Sequence, residues 1–114
     1  MEKEQLVQEI QVSIDEAKDF IEQREAVLRL FKNKDFEKIF TEGYFKEEPA
    51  RLVALMTDPE FQSPERQEQL KADMLGISSL RRYLMNVQRI GYQMEQRIKD
   101  AEQTITELEE EEEE

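Results

Sequence analysis

Any chemistry in this chain would fall to carboxylates, hydroxyls and amines, because it contains neither histidine nor cysteine. Lack of histidine removes the commonest general base and the imidazole metal ligand. Lack of cysteine removes thiolate zinc sites, thiol nucleophiles and disulfides together. The hydroxyls offer little: Gly76-Ile77-Ser78-Ser79 lacks the glycine two residues after a serine that a nucleophile elbow requires. Gly43, Gly76 and Gly91 stand too far apart to build a phosphate-cradling loop, and no carboxylates fall at EF-hand offsets around a glycine turn. The chain therefore reads as non-enzymatic, with no catalytic residue, cofactor or metal site expected.

One carboxylate feature stands out. Glu109, Glu110, Glu111, Glu112, Glu113 and Glu114 form an unbroken run that supplies six of the twelve net negative charges, leaving −6 for residues 1–108. Such a run attracts divalent cations weakly, keeps a protein soluble as a solvated tail, or serves as an acidic arm for a basic surface on a partner. The negative balance and the lack of any Lys/Arg block argue against direct nucleic-acid binding and against anionic lipid. With no run of 18 apolar residues, and no apolar region behind Met1-Glu2-Lys3-Glu4-Gln5, neither a membrane span nor a signal peptide is read; a soluble, cytoplasmic protein is expected.

The elements that must position these residues are helices. Only 3 Gly and 3 Pro interrupt a chain rich in Glu, Gln, Lys, Arg and Leu, so an all-α fold is expected. Ile77, Leu80, Leu84, Val87, Gly91, Met94, Ile98, Ala101, Ile105 and Leu108 recur at three- and four-residue spacings. This is an a/d seam of more than four heptads that must face another helix. Ser63-Pro64 supplies its start, an N-cap hydroxyl followed by proline in the first turn, so a long helix is predicted over 64–108. A first helix over about 4–31 carries Val7, Ile10, Ile14, Ala17, Ile21, Leu28 and Phe31 at the same spacing, interrupted by Arg24.

Between these helices, Asn33 or Asp35 can cap a short helix bearing Phe36, Ile39, Phe40 and Tyr44 that should end near Gly43. Pro49 suits the first turn of a second short helix, closed by Asp58-Pro59. Six of the nine aromatic residues lie between 31 and 61, and the cluster of Phe36, Ile39, Phe40, Tyr44 and Phe45 reads as core. The expected architecture is an antiparallel helical hairpin or coiled coil with two short helices inserted between a shorter N-terminal and a long C-terminal helix. Residues 1–108 would form one domain and 109–114 an acidic tail.

At about 1.5 Å per residue the long helix would measure roughly 68 Å and the first roughly 42 Å. If the first helix folds back on the near part of the long one, the distal seam of Gly91, Met94, Ile98, Ala101, Ile105 and Leu108 protrudes and needs a partner. A homo-oligomer is then expected. Gly91, costly inside a helix, fits close approach of a partner or a bend. Met85 and Tyr92 lie on another face, to be covered by the short helices or by an oligomer contact.

The string NKDFEKIFTEGYFKEEPARLVALMTD at 33–58, continued by QSPERQEQL and GISSLRRYL, resembles small acidic helical proteins of tailed bacteriophages. The matching elements are Asp35-Phe36, Glu42-Gly43-Tyr44-Phe45, Glu48, Arg51-Leu52-Val53, Gln62-Ser63-Pro64 and the acidic C-terminus, spanning about residues 20–110. Pro49 stands where alanine would be expected. The resemblance implies a virion structural or assembly protein (scaffold-like, connector-associated or chaperone) in the host cytoplasm or the virion. Its partners would be capsid, portal or other particle proteins, and it carries over no catalytic residue. Two other readings fit the residues: an acidic inhibitor or DNA mimic occupying a basic groove of a host protein, and a prefoldin-like coiled-coil chaperone or adaptor.

Overall fold

A computed structural model describes residues 2–113 and is helical nearly throughout. A shorter N-terminal helix, α1 (Glu2–Lys32), and a long C-terminal helix, α4 (Pro64–Glu113), flank a series of short helical pieces. These are α2 (Lys34–Phe36), a π-helical stretch (Glu37–Glu47), α3 (Glu48–Met56) and a 3₁₀ turn (Pro59–Phe61). Among the described residues no helix is long and apolar enough to cross a membrane. The chain divides into two compact units: residues 1–26 with 87–114, and residues 27–86.

In the first unit α1 and α4 run antiparallel. Lys3 reaches Glu111, Val7 lies near Leu108, Ile14 and Ala17 face Ile98 and Ala101, and Arg24 packs on Gly91. Each step forward along α1 is thus matched by one step back along α4. Ile14 and Ala17 are buried, and the small side chains of Ala17 and Ala101 let the helices approach closely enough to leave only a crevice of about 30 Å³ beside them.

This placement corrects the expectation that α1 lies on the near part of α4 and leaves the far part bare. The distal seam is covered from within the chain: Gly91 is buried, and Met94, Ile98, Ala101, Ile105 and Leu108 are half-buried. The short helical pieces account for the mismatch in length, because they occupy the first part of α4. An uncovered seam therefore gives no reason to expect an oligomer.

The second unit is built on Leu52, 1 % exposed, with Leu70 and Ile77 of α4. Tyr44, Phe45, Leu55, Met56, Phe61 and Met74 pack around these three. Of the two expected caps it is Asn33, not Asp35, that starts α2 after the break: its Oδ1 accepts from the Phe36 N–H at 3.0 Å. The helix expected to end near Gly43 instead continues into α3, because Gly43 has no left-handed φ to stop it. The Glu48 N–H donates to the Gly43 carbonyl five residues back, the π pattern. A Cβ on Gly43 would press to 3.2 Å on the Lys38 carbonyl, also five back, so the missing side chain suits this winding. Pro49, which has no N–H to give, follows where the α pattern resumes.

The junction of α3 with α4 is fastened by polar side chains. Ser63 Oγ accepts from the Arg66 N–H at 3.2 Å, confirming the predicted start of the long helix. Gln67 Nε2 donates to the carbonyls of Phe61 at 2.7 Å and Met56 at 3.2 Å, while Gln62 Nε2 donates to those of Asp58 at 2.8 Å and Met56 at 3.0 Å. Carbonyls that would be orphaned at a helix end are thereby satisfied. At its other end α4 runs five residues past the predicted Leu108, carrying the acidic run into the helix.

Candidate functional site

The only buried charged side chain is that of Arg24, 6 % exposed, among the described residues. It occupies an apolar position in the α1 stripe and meets Gly91, the one seam position of α4 without a side chain. A methyl group on Gly91 would overlap Arg24 Cβ and come within 3.0 Å of its Cγ and Cδ. The glycine is thus explained by close approach, one of the two explanations open from sequence. Arg24 donates through one terminal nitrogen to Glu95 at 2.7 Å and through the other to Glu25 at 2.8 Å, and its guanidinium lies 4.5 Å from the centre of the Tyr92 ring.

These bonds determine the protonation of the cluster. Hydrogen bonding to Glu95, then to Glu25, raises the Arg24 pKa above its ordinary value against the opposing effect of burial. Hydrogen bonding to Arg24 lowers that of Glu95. Both groups are held charged at neutral pH and each satisfies the other, so the cluster holds two helices together and offers no free base. Among the described residues no buried side-chain nitrogen or oxygen lacks a partner. Met85, 57 % exposed, is not covered by the short helices, and Tyr92 stays 54 % exposed.

The second unit presents two open clefts along the π-helical stretch. One, of about 700 Å³, is lined by Ile39, Phe40, Gly43, Tyr44, Glu47, Glu48 and Arg51; the other, of about 550 Å³, shares Ile39, Gly43 and Glu47. The aromatic cluster read as core is divided between two roles. Phe36 stacks on Phe40 with ring centres 4.9 Å apart, and Tyr44 and Phe45 reach the Leu52 core. Ile39, 60 % exposed, belongs to the surface, and nothing in its spacing distinguished it from its neighbours. At the cleft edge Arg51 pairs with Glu48, which raises the arginine pKa and lowers that of the glutamate.

The sequence-predicted site residues thus fall into two groups in the first unit. The seam residues Gly91, Met94, Ile98, Ala101, Ile105 and Leu108 face inward on α4. Of the acidic arm, Glu109, Glu110 and Glu111 are exposed in the helix, Glu112 and Glu113 continue its backbone, and Glu114 lies outside the described residues. Arg24 was visible in sequence only as an interruption. The fold and these surfaces define an all-α protein in which Arg24, the one buried charge among the described residues, joins α1 to α4. Compared with models of protein families, with curated proteins and with solved structures, the chain finds no match.

Proposed function

We propose that the protein is a non-enzymatic structural or assembly protein of a phage particle that acts by helix–helix association. The phage assignment rests on the resemblance of residues 33–58 and the segments that follow. The observation supporting a binding role is the apolar surface left in water by the second unit: Ile39, Val53, Leu75, Tyr83 and Met85 are each more than half exposed. A partner that covers them gains roughly 1 kcal/mol for each side chain it takes out of water. A capsid or portal protein, or a second copy of the chain, is the partner this reading calls for.

The test is binding of the full chain to purified capsid and portal proteins, alongside size exclusion with light scattering. Binding that is lost in Ile39→Glu and Leu75→Glu, whose exposed positions leave the fold intact, supports the assembly role. Tight, salt-sensitive binding to a host nucleic-acid enzyme, unaffected by either substitution, would overturn it in favour of the inhibitor. Selective capture of unfolded chains would favour the chaperone. The inhibitor ranks lower because a DNA mimic spreads carboxylates over a rigid body, whereas half of the net charge here lies in one terminal run.

A further inference from the structure

At the open end of the first unit, the start of α1 and the end of α4 leave between them a cleft of about 340 Å³ lined by Lys3, Glu4, Val7, Gln8, Leu108 and Glu109. Val7 and Leu108 supply its apolar lining, and Glu4 and Glu109 stand at its rim beside Lys3 and Gln8. Residues 2–9 and 102–113 together hold ten glutamates and one lysine, a net −9 out of −12 for the whole chain. The lysine, Lys3, is already committed to Glu111 at 3.9 Å. Glu109, the first residue of the acidic run, thus lines a two-helix cleft whose other wall contributes Glu4, an arrangement that the run alone did not reveal.

We propose that this cleft docks a lysine- or arginine-rich amphipathic segment of another protein. Three features select that occupant. The rim repels nucleic acid and anionic lipid and attracts cations. No group of three or more carboxylates converges to hold a metal ion among the described residues, so diffuse charge is matched better by several side-chain cations than by one ion. Val7 and Leu108 require something apolar to cover them, which a purely hydrophilic polycation lacks.

The proposal rests on the reading of the chain as a binding protein, and not on the phage assignment. The probe is a labelled synthetic leucine/lysine amphipathic peptide, titrated by fluorescence anisotropy against the full chain. Oligolysine of equal charge and a leucine/glutamate analogue are the comparisons. The leucine/lysine peptide should bind about tenfold more tightly than oligolysine, the effect of one anchored apolar side chain. Binding should weaken as ionic strength rises from about 0.05 to about 0.15 M.

Glu4→Gln with Glu109→Gln should weaken binding about threefold or more, and amides of residues 102–111 should gain protection from hydrogen exchange when the peptide is bound. Equal affinity for the two cationic peptides would mean that only bulk charge is sensed and would overturn the cleft. So would an affinity unchanged in the double variant, or no binding at all. A null result here leaves the capsid and portal measurements standing, because their diagnostic substitutions, Ile39→Glu and Leu75→Glu, lie in the other unit.

Discussion

Placing the same methyl group at two points on α4 should have opposite consequences. Gly76 and Gly91 both lie inside the helix, so alanine at either gains about 1 kcal/mol of intrinsic helix preference. At Gly76 the added carbon would find only the Tyr44 hydroxyl, at an ordinary 3.7 Å, so Gly76→Ala should be stabilising by close to the full amount. At Gly91 it would overlap Arg24 Cβ, an atom fixed to the α1 backbone that cannot swing aside as a side-chain tip can. The helices must part, which stretches the 2.7 Å bond from Arg24 to Glu95. Overpacking of this kind costs about 1–3 kcal/mol.

The preference for helix is common to both variants, so their difference isolates the steric cost. At about 4 °C per kcal/mol for a chain of this length, Gly91→Ala should melt about 4–12 °C below Gly76→Ala. Urea denaturation followed by circular dichroism should give the same order. In an Arg24→Gly background the penalty at Gly91 should disappear, a coupling that a double-mutant cycle reads directly. Equal stabilisation by the two alanines would refute the close crossing of Arg24 and Gly91, and with it the antiparallel register built on that crossing.

Leu52→Ala should destabilise by about 2–5 kcal/mol in the same denaturation assay, because the side chain is almost wholly enclosed; a loss under about 1 kcal/mol would mean that the second unit collapses around the gap. Gln67→Ala should cost about 1–2 kcal/mol and increase amide exchange around residues 57–62, since the Phe61 carbonyl loses its side-chain donor; unchanged exchange would show that water replaces it. Glu95→Gln should be less stable than the parent at neutral pH. Its depressed carboxyl pKa makes the stabilisation complete above the unfolded value of about 4.3 and loses it progressively as pH falls below that, so the gap should close in acid; a gap constant down to about pH 2 would contradict the ion pair. Arg24 adds no pH dependence in this range, because its raised pKa lies far above it. Deleting residues 109–114 should leave the melting temperature nearly unchanged, since like charges at a helix C-terminus oppose its dipole; a large drop would assign the run a structural role.

The period of the apolar residues was legible in the sequence, and so were the caps at Asn33 and Ser63, because both depend on chain-local chemistry. The placement of α1 along α4 was not. Two amphipathic helices of unequal length can pair at either end, and what decides between them is where residues 33–63 go. That segment buries Leu52 against Leu70 and Ile77, a long-range choice carried by no local signal. The π winding was equally hidden, since Gly43 in a helical pattern signals a stop more often than a change of hydrogen-bonding partner. Pro49 lies in the first turn of α3, as its type signals, but a proline there does not reveal that the winding before it uses bonds five residues back.

Arg24 and Gly91 were each visible as a flaw, one residue too large and charged for its stripe and one too small for its seam. Read together they are complementary. Leu70, Ile77, Leu84, Gly91, Ile98 and Ile105 repeat at every seventh position, so a shift of α1 by one heptad would present nearly the same apolar surface. Such a shift would set Arg24 against Leu84 or Ile98, branched side chains that leave no space for a guanidinium stem. The ion pair need not add net stability, because the cost of taking the Arg24 guanidinium out of water offsets much of its attraction to the half-exposed Glu95. Its effect is to penalise the shifted pairings. The same register brings Lys3 to Glu111 and Val7 to Leu108, so the position of one arginine 6 % exposed settles whether the acidic cleft at the open end of the first unit exists at all.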